Sequence, residues 1–301
     1  MMKRNMLLCL ALLLTLLLTF GLLAGCGGNG ADQNTPGSGT ENGAGDIGAE
    51  NGQAAEQQPV ELSVFAAASM TESLNEIAEM YKTVAPNVTL VYNFDSSGTL
   101  KTQIEEGADC DIFISAAQKQ MNQLDITAKE EANPDKLDFV DSATRFNLVG
   151  NSVVMIVPED SDKEISDFSD VTTDKVSLIA LGNSDVPVGQ YSEEIYTYLG
   201  LWEKMKEANK ITFGSNVKEV LSQVAAGSVD CGVVYSTDAA TAEGVKVVAV
   251  APEGSHQAIT YPAAVMKNAG DKEAAQAFIE YLKSDACSAV FEKIGFIIPE
   301  R

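Results

Sequence analysis

Leu62-Ser63-Val64-Phe65-Ala66-Ala67-Ala68-Ser69 runs directly into Met70-Thr71-Glu72-Ser73-Leu74, and this junction decides the fold. An apolar strand ends in three alanines and a serine, and a helix begins at once. The small side chains let a ligand approach the backbone closely. Ser69 stands at an N-cap position, where its hydroxyl and the first helical N–H groups face outward. A helix start of this kind presents neutral donors to an anion. Junctions of the same character recur at Asp95-Ser96-Ser97-Gly98-Thr99, at Asp185-Val186-Pro187-Val188-Gly189-Gln190 and at Gly214-Ser215-Asn216-Val217. Each offers free backbone N–H groups with the positive end of a helix dipole behind them. Taken singly, each reads first as an ordinary helix cap. Brought together, they can hold a compact oxyanion without a buried arginine or lysine, because charge-assisted hydrogen bonds contribute roughly 1.5–3 kcal/mol each.

Outward from the first junction, strands and helices alternate. Glu61–Phe65 reads as a strand, and the helix after it places Leu74, Ile77, Ala78 and Tyr81 on one face before Pro86 ends it. Further strands are predicted at Val88–Phe94, Asp111–Ser115, Asn147–Val149, Val153–Val157, Ser177–Leu181, Ile211–Phe213, Cys231–Tyr235, Val245–Val250 and Thr260–Met266. Helices are predicted at Thr99–Glu106, Gln118–Leu124, Ser192–Leu199 and Val217–Ala226, and a last one carries Ala274, Ala277, Phe278, Tyr281 and Leu282 as its apolar stripe. This alternation predicts an α/β protein with mainly parallel sheets flanked by helices. The ordered length exceeds one comfortable core and suggests two lobes. Ligands of such sheets bind where strand C-termini meet helix N-termini.

Charge narrows the partners. The 301 residues carry a formal net charge of −23, and beyond the first 25 residues 18 basic side chains face 43 acidic ones, a balance of −25. Such a surface repels nucleic acid. Arginine occurs only at positions 4, 145 and 301, so an anion site must rely on neutral dipoles. Cys110 and Cys231 abut apolar strands and read as small core residues, and no pair of cysteines has zinc-type spacing.

The N-terminus reads as a targeting segment. Lys3 and Arg4 precede the apolar run Met6–Leu23, which closes on Leu23-Ala24-Gly25-Cys26. A positive start, an apolar stretch and small residues before a cleavage point describe an export signal. Residues 27–59, rich in Gly, Asn, Gln, Ala and Glu, cannot bury enough surface to order themselves and read as a tether of roughly 30 Å root-mean-square span.

Three of these stretches carry a family resemblance: Val64-Phe65-Ala66-Ala67-Ala68-Ser69, Phe94-Asp95-Ser96-Ser97-Gly98-Thr99-Leu100, and Gly107-Ala108-Asp109-Cys110-Asp111-Ile112-Phe113-Ile114-Ser115-Ala116. Together they resemble the molybdate-binding proteins, the substrate-binding subunits of ABC importers for molybdate and tungstate. Val186-Pro187-Val188-Gly189, Cys231-Gly232-Val233-Val234-Tyr235-Ser236-Thr237-Asp238-Ala239 and Tyr261-Pro262-Ala263-Ala264 continue the likeness in order, over Val60 to Pro299. The resemblance implies a two-lobed periplasmic-binding-protein-like fold with the anion in the inter-lobe cleft. It implies two serine hydroxyls, backbone N–H groups and a tyrosine hydroxyl as ligands. Carried over by motif, these are Ser69 and Ser97 from one lobe, and Val188, Val217 and Tyr235 from the other; Val188 stands where alanine is more usual. The expected division is 1–26 signal peptide, 27–59 tether, 60–146 with 245–301 as lobe I, and 147–244 as lobe II. The Leu-Ala-Gly-Cys ending resembles the bacterial lipobox, which implies cleavage before Cys26, a lipid on its thiol and an extracytoplasmic, membrane-anchored protein. The implied partners are a small oxyanion (molybdate or tungstate), the permease subunits of an ABC importer and, through the lipid anchor, the membrane. No cofactor, no cation-binding metal site and no nucleic acid are expected, and the protein is expected to act as a monomer.

Sulfate, another tetrahedral oxyanion, is the alternative ligand. A hydrolase using Ser69 is the alternative function, disfavoured because a serine nucleophile needs a base and the single histidine, His256, is isolated in a turn and reads as a surface residue. Asp109 and Asp111 read as turn-capping carboxylates, Trp202 as packing at a helix end, and acidic runs such as Glu159-Asp160-Ser161-Asp162 as solvated surface.

Overall fold

The computed structural model describes residues 58–300. The predicted signal peptide, Cys26 as the predicted lipid attachment site and nearly all of the predicted tether lie outside these residues.

The chain begins with β1 (Val60–Ala67), which reaches the first junction through a 3₁₀ turn, Ala68–Met70, followed by α1 (Thr71–Val84). Then come β2 (Val88–Asp95), α2 (Ser97–Glu105), β3 (Ile112–Ile114), α3 (Gln118–Leu124), β4 (Phe146–Gly150) and β5 (Val153–Pro158). After β6 (Ile179–Gly182) follow α4 (Pro187–Tyr198), α5 (Trp202–Glu207), β7 (Ile211–Gly214), α6 (Val217–Ala225), β8 (Cys231–Tyr235), α7 (Ser236–Thr241) and β9 (Val245–Val250). The chain closes with β10 (Thr260–Val265), α8 (Lys272–Leu282) and α9 (Asp285–Ile294).

The strands form two five-stranded sheets, in the orders β2-β1-β3-β10-β4 and β7-β6-β8-β5-β9, which make a two-lobed α/β fold. Because β1 lies inside its sheet, Val64, Phe65, Ala66 and Ala67 are all buried, as expected of a strand covered on both faces. On α1, Leu74, Ile77 and Tyr81 face the core, at helical spacing.

Both sheets are more mixed than the sequence predicts. β1 pairs parallel with β2 and β3, and β6 parallel with β7 and β8, but β10 runs antiparallel to β3 and β4, and β5 antiparallel to β8 and β9. Parallel neighbours need a crossover, usually helical. β5 and β10 enter their sheets from segments that pass between the lobes, so nothing constrains them to run parallel. The lobe limits move for the same reason. β4, expected in the second lobe, pairs with β10 in the first sheet, and β9, expected in the first, pairs with β5 in the second. The chain therefore crosses at Asn151-Ser152 and between β9 and β10, not at 146/147 and 244/245.

Three smaller differences concern helices. α4 begins at Pro187, not at Ser192, because proline is pre-shaped for the first helical turn. The stripe of α8 is Ala275, Phe278, Ile279 and Leu282, whereas Ala277 is exposed. Finally, α5, α7 and α9 were not expected; Ser284 caps α9 by accepting from Cys287 N–H, and Gly295 ends it in the left-handed conformation at φ 104°.

Candidate functional site

In the first lobe two junctions present their serines side by side. Ser69 is buried in the 3₁₀ turn after β1, and its hydroxyl lies 2.9 Å from the Tyr261 hydroxyl. After β2, Ser96 caps α2 by accepting from Thr99 N–H at 3.1 Å. Ser97, the first residue of that helix, is fully buried, and its Oγ accepts from Ala116 N–H at 2.9 Å. With one lone pair so engaged, the Ser97 hydroxyl proton remains available to a further acceptor.

In the second lobe the available amides follow from what the neighbouring residues already do. At the start of α4, Pro187 has no N–H, and Gly189 and Gln190 both donate to the Val186 carbonyl, at 2.9 and 3.1 Å. The amide left over in that turn is that of Val188. At the start of α6, the Asn216 side chain accepts from Glu219 N–H at 3.0 Å, and the Glu219 carboxylate accepts from Ser215 N–H at 2.6 Å. This reciprocal cap leaves Val217 N–H, at the first helical position, without an intrahelical partner. Tyr235 ends β8 at the same level. It is buried, and its hydroxyl has no partner in hydrogen-bonding geometry.

All five residues expected from the sequence, Ser69, Ser97, Val188, Val217 and Tyr235, line one small cavity between the lobes. Ala67, Ala68, Ser96, Ala116, Val186, Pro187 and Asp95 complete its wall. Three broader hollows lie elsewhere, one of them beside Gly107, Asp109 and Phe139. Another lies between the C-terminal end of α1 and α8, and the third between α4 and residues 254–257. None of the three is lined by several helix starts.

The lobes are closed on each other around this cavity. Asn216 Nδ2 donates to Asp95 Oδ1 across the cleft at 3.1 Å, and Lys218 Nζ reaches both oxygens of Glu72 at 2.9 Å. Gly98 meets the loop before α4 so closely that a Cβ there would lie 2.2 Å from the Asp185 carbonyl oxygen.

No lysine, arginine or histidine lines the cavity; its one charged wall residue is Asp95. Arg145 sits away from it, bonded to Asp125, Gln118 and Asn122. The nearest cation in sequence is Lys218, beside Val217. Its ammonium pairs with the fully buried Asp238 at 3.0 Å as well as with Glu72. Burial raises the Asp238 carboxyl to about 6 against the pull of Lys218. Tyr235 and Tyr261 are both pushed well above the usual phenol range, first by burial, so each stays a neutral hydroxyl. Among the described residues, no three His, Cys, Asp or Glu side chains cluster as cation ligands.

The other singled-out residues are structural. Asp111 accepts from Ser63 N–H and Gly270 N–H, each at 2.7 Å. His256 is half-buried with its ring edge-on to Tyr191, so the surface reading of the sequence was too simple, and it does not line the cavity. Cys110 and Cys231 are buried thiols. Tyr261 and Asn151, which bond to Ser69 directly and at one remove, were not foreseen. The Tyr261-Pro262-Ala263-Ala264 stretch was legible as a motif, but only the pairing of β10 reveals which side chain its tyrosine meets.

Two lobes of α/β architecture closed over a donor-lined cavity form the arrangement of a solute-binding protein. The chain belongs to the bacterial extracellular solute-binding protein family, whose profile matches residues 62–297. It is 38% identical over 241 residues to YvgL of Bacillus subtilis, which is assigned as an ABC transporter substrate-binding lipoprotein; the match covers 80% of this chain and 87% of that protein. Over 242 residues it is 38% identical to the molybdate-binding protein ModA of Haemophilus influenzae, covering 78% and 89%. A solved substrate-binding domain from Clostridium difficile, assigned to a molybdenum ABC transporter, superposes with a TM-score of 0.60 at 42% identity, over 80% of this chain and all of that one.

Proposed function

We propose that this protein captures molybdate or tungstate outside the cytoplasm and delivers it to the permease of an ABC importer. One observation carries the reading: the buried Tyr235 hydroxyl lacks a partner at a cavity where Val188 and Val217 N–H and the Ser69 and Ser97 hydroxyls also converge. A buried unsatisfied hydroxyl costs about 1–3 kcal/mol, so its presence in a shell of donors is explained by an acceptor that arrives with the ligand. A tetrahedral oxyanion supplies several acceptor oxygens at once. The relatives that bind molybdate support the choice of anion.

The mechanism follows from the geometry. Ser69 and Ser97 receive the anion in the first lobe. Closure brings Val188, Val217 and Tyr235 onto its remaining oxygens and excludes water. Lys218–Glu72, Asn216–Asp95 and the Gly98–Asp185 approach hold the closed form. Local dipoles at hydrogen-bond range outweigh the salt-screened negative surface. In this reading Cys26 carries a lipid anchor, residues 27–59 tether the domain, and the protein works as a monomer.

Isothermal titration of the purified protein with molybdate, tungstate, sulfate and phosphate tests the reading. Saturable one-to-one binding of molybdate and tungstate, tighter than sulfate, is expected. Sulfate binding tighter than either would reassign the ligand, and no binding of any of the four would remove the proposal.

A further inference from the structure

The hydrogen bonds around Ser69 have a direction that can be read from one backbone amide. Asn151 lies in the two-residue segment that crosses from β4 in the first lobe to β5 in the second. Its Oδ1 lies 2.9 Å from Ser152 N and 3.0 Å from Ser236 Oγ. A backbone N–H can only donate, so the side of the amide facing Ser152 is the carbonyl, and the NH₂ faces the other way. That NH₂ donates to Thr237 Oγ1 at 2.9 Å and to the Tyr261 hydroxyl at 3.2 Å. The Tyr261 oxygen therefore accepts a hydrogen bond from Asn151 Nδ2–H. Its own proton is then free to point to Ser69 Oγ, 2.9 Å away, the partner within hydrogen-bond distance on that side. Ser69, accepting that hydrogen bond, keeps its own proton to give, and it lines the anion cavity.

Tyr261 has no access to solvent and Asn151 is buried, so water does not compete for these bonds. The Tyr261 ring is locked edge-on between Tyr235 and Phe296, at centroid distances of 5.8 and 5.6 Å. The Asn151 side chain also touches both lobes at once: Tyr261 belongs to the first, and Ser236 and Thr237 to the second.

We propose that Tyr261 and Asn151 are positioning residues that commit the Ser69 proton to the bound anion and tie that commitment to the hinge between the lobes. With Asn151 donating to Tyr261 and Tyr261 donating to Ser69, the serine keeps its own proton to give to the anion. A rotation of the crossing segment that moves Asn151 off Tyr261 frees Tyr261, and with it Ser69, to turn. The closed lobe arrangement and a ligand-ready Ser69 are then one state. This inference rests on the oxyanion-binding reading above, and deepens it.

A double-mutant cycle with molybdate as the probe tests it. Tyr261→Phe keeps the ring and removes only the hydroxyl. The expected result is an affinity about tenfold weaker, with the unliganded melting temperature lowered by a few degrees because a buried Asn151 N–H loses its acceptor. In a Ser69→Ala background the same substitution is expected to change affinity less than twofold, because there is no serine proton left to direct. Unchanged affinity of Tyr261→Phe, or a full tenfold loss that persists in the Ser69→Ala background, would overturn the proposal. Asn151→Ala gives the same cycle from the hinge side and serves if the tyrosine variant fails to fold; additivity with Ser69→Ala there overturns the proposal equally. Failure of the unsubstituted protein to bind molybdate would instead refute the ligand assignment.

Discussion

Tyr235→Phe separates a binding hydroxyl from a structural one. The ring sits edge-on to Tyr191 and Tyr261 at centroid distances of 6.5 and 5.8 Å, and phenylalanine keeps both contacts. Only the oxygen is lost. In the closed protein that oxygen is buried and unpartnered, so its removal sacrifices no internal hydrogen bond and relieves a desolvation cost of about 1–3 kcal/mol. With the anion bound the balance reverses, because a hydrogen bond to a charged acceptor contributes about 1.5–3 kcal/mol. The variant should therefore melt no lower than the parent protein without ligand, yet bind molybdate roughly 10- to 150-fold more weakly. Scanning calorimetry without ligand and isothermal titration with molybdate measure the two effects on one preparation. Lower unliganded stability combined with unchanged affinity would refute the reasoning, because it would mean that the hydroxyl serves the fold.

Three further outcomes follow from the same structure. Gly98→Ala places a methyl group against the Asp185 carbonyl, so closure should be obstructed: molybdate affinity falls at least tenfold while unliganded stability changes by less than about 1 kcal/mol, and equal affinity in titration would refute the closed geometry. The Asp238 carboxyl, raised to about 6 from 3.8 chiefly by burial, binds its proton more tightly folded than unfolded. Its contribution is fully present below about pH 4 and is lost as pH rises through 6, so the parent protein should gain on the order of 2 kcal/mol relative to Asp238→Asn between pH 7 and pH 4 in denaturant titrations, and parallel profiles would contradict this. Asp125 has the opposite sign: burial opposes its charge, but hydrogen bonds from Ser142, Thr127 and Arg145 outweigh it and hold the carboxyl at about 2. Its stabilisation is present above about pH 4 and lost as pH falls through 2, so Asp125→Asn should cost about 2 kcal/mol at pH 7 and flatten the acid limb of the stability curve.

Much of the site was legible because its donors are local. Strand end, small residues and helix start are neighbours in sequence, so the four junctions containing Ser69, Ser97, Val188 and Val217 were visible before any fold. Their convergence was not, and it came from the family resemblance. What the sequence hid is non-local. β4 and β9 were recognisable as strands, but an apolar run does not name the sheet that covers it, and both were placed in the wrong lobe. Tyr261 and Asn151 are 192 and 82 positions from Ser69, and only the antiparallel return of β10 and the crossing after β4 bring them to it. The stripe of α8 was misread because alanine fits either face of a helix.

Titration of the protein with molybdate, before and after Ser69→Ala and Ser97→Ala, tests the central claim most directly. The account predicts one molybdate per chain, tighter than sulfate, with each substitution weakening binding by about 1 kcal/mol or more. Molybdate affinity that is absent, or indifferent to both serines, would contradict it.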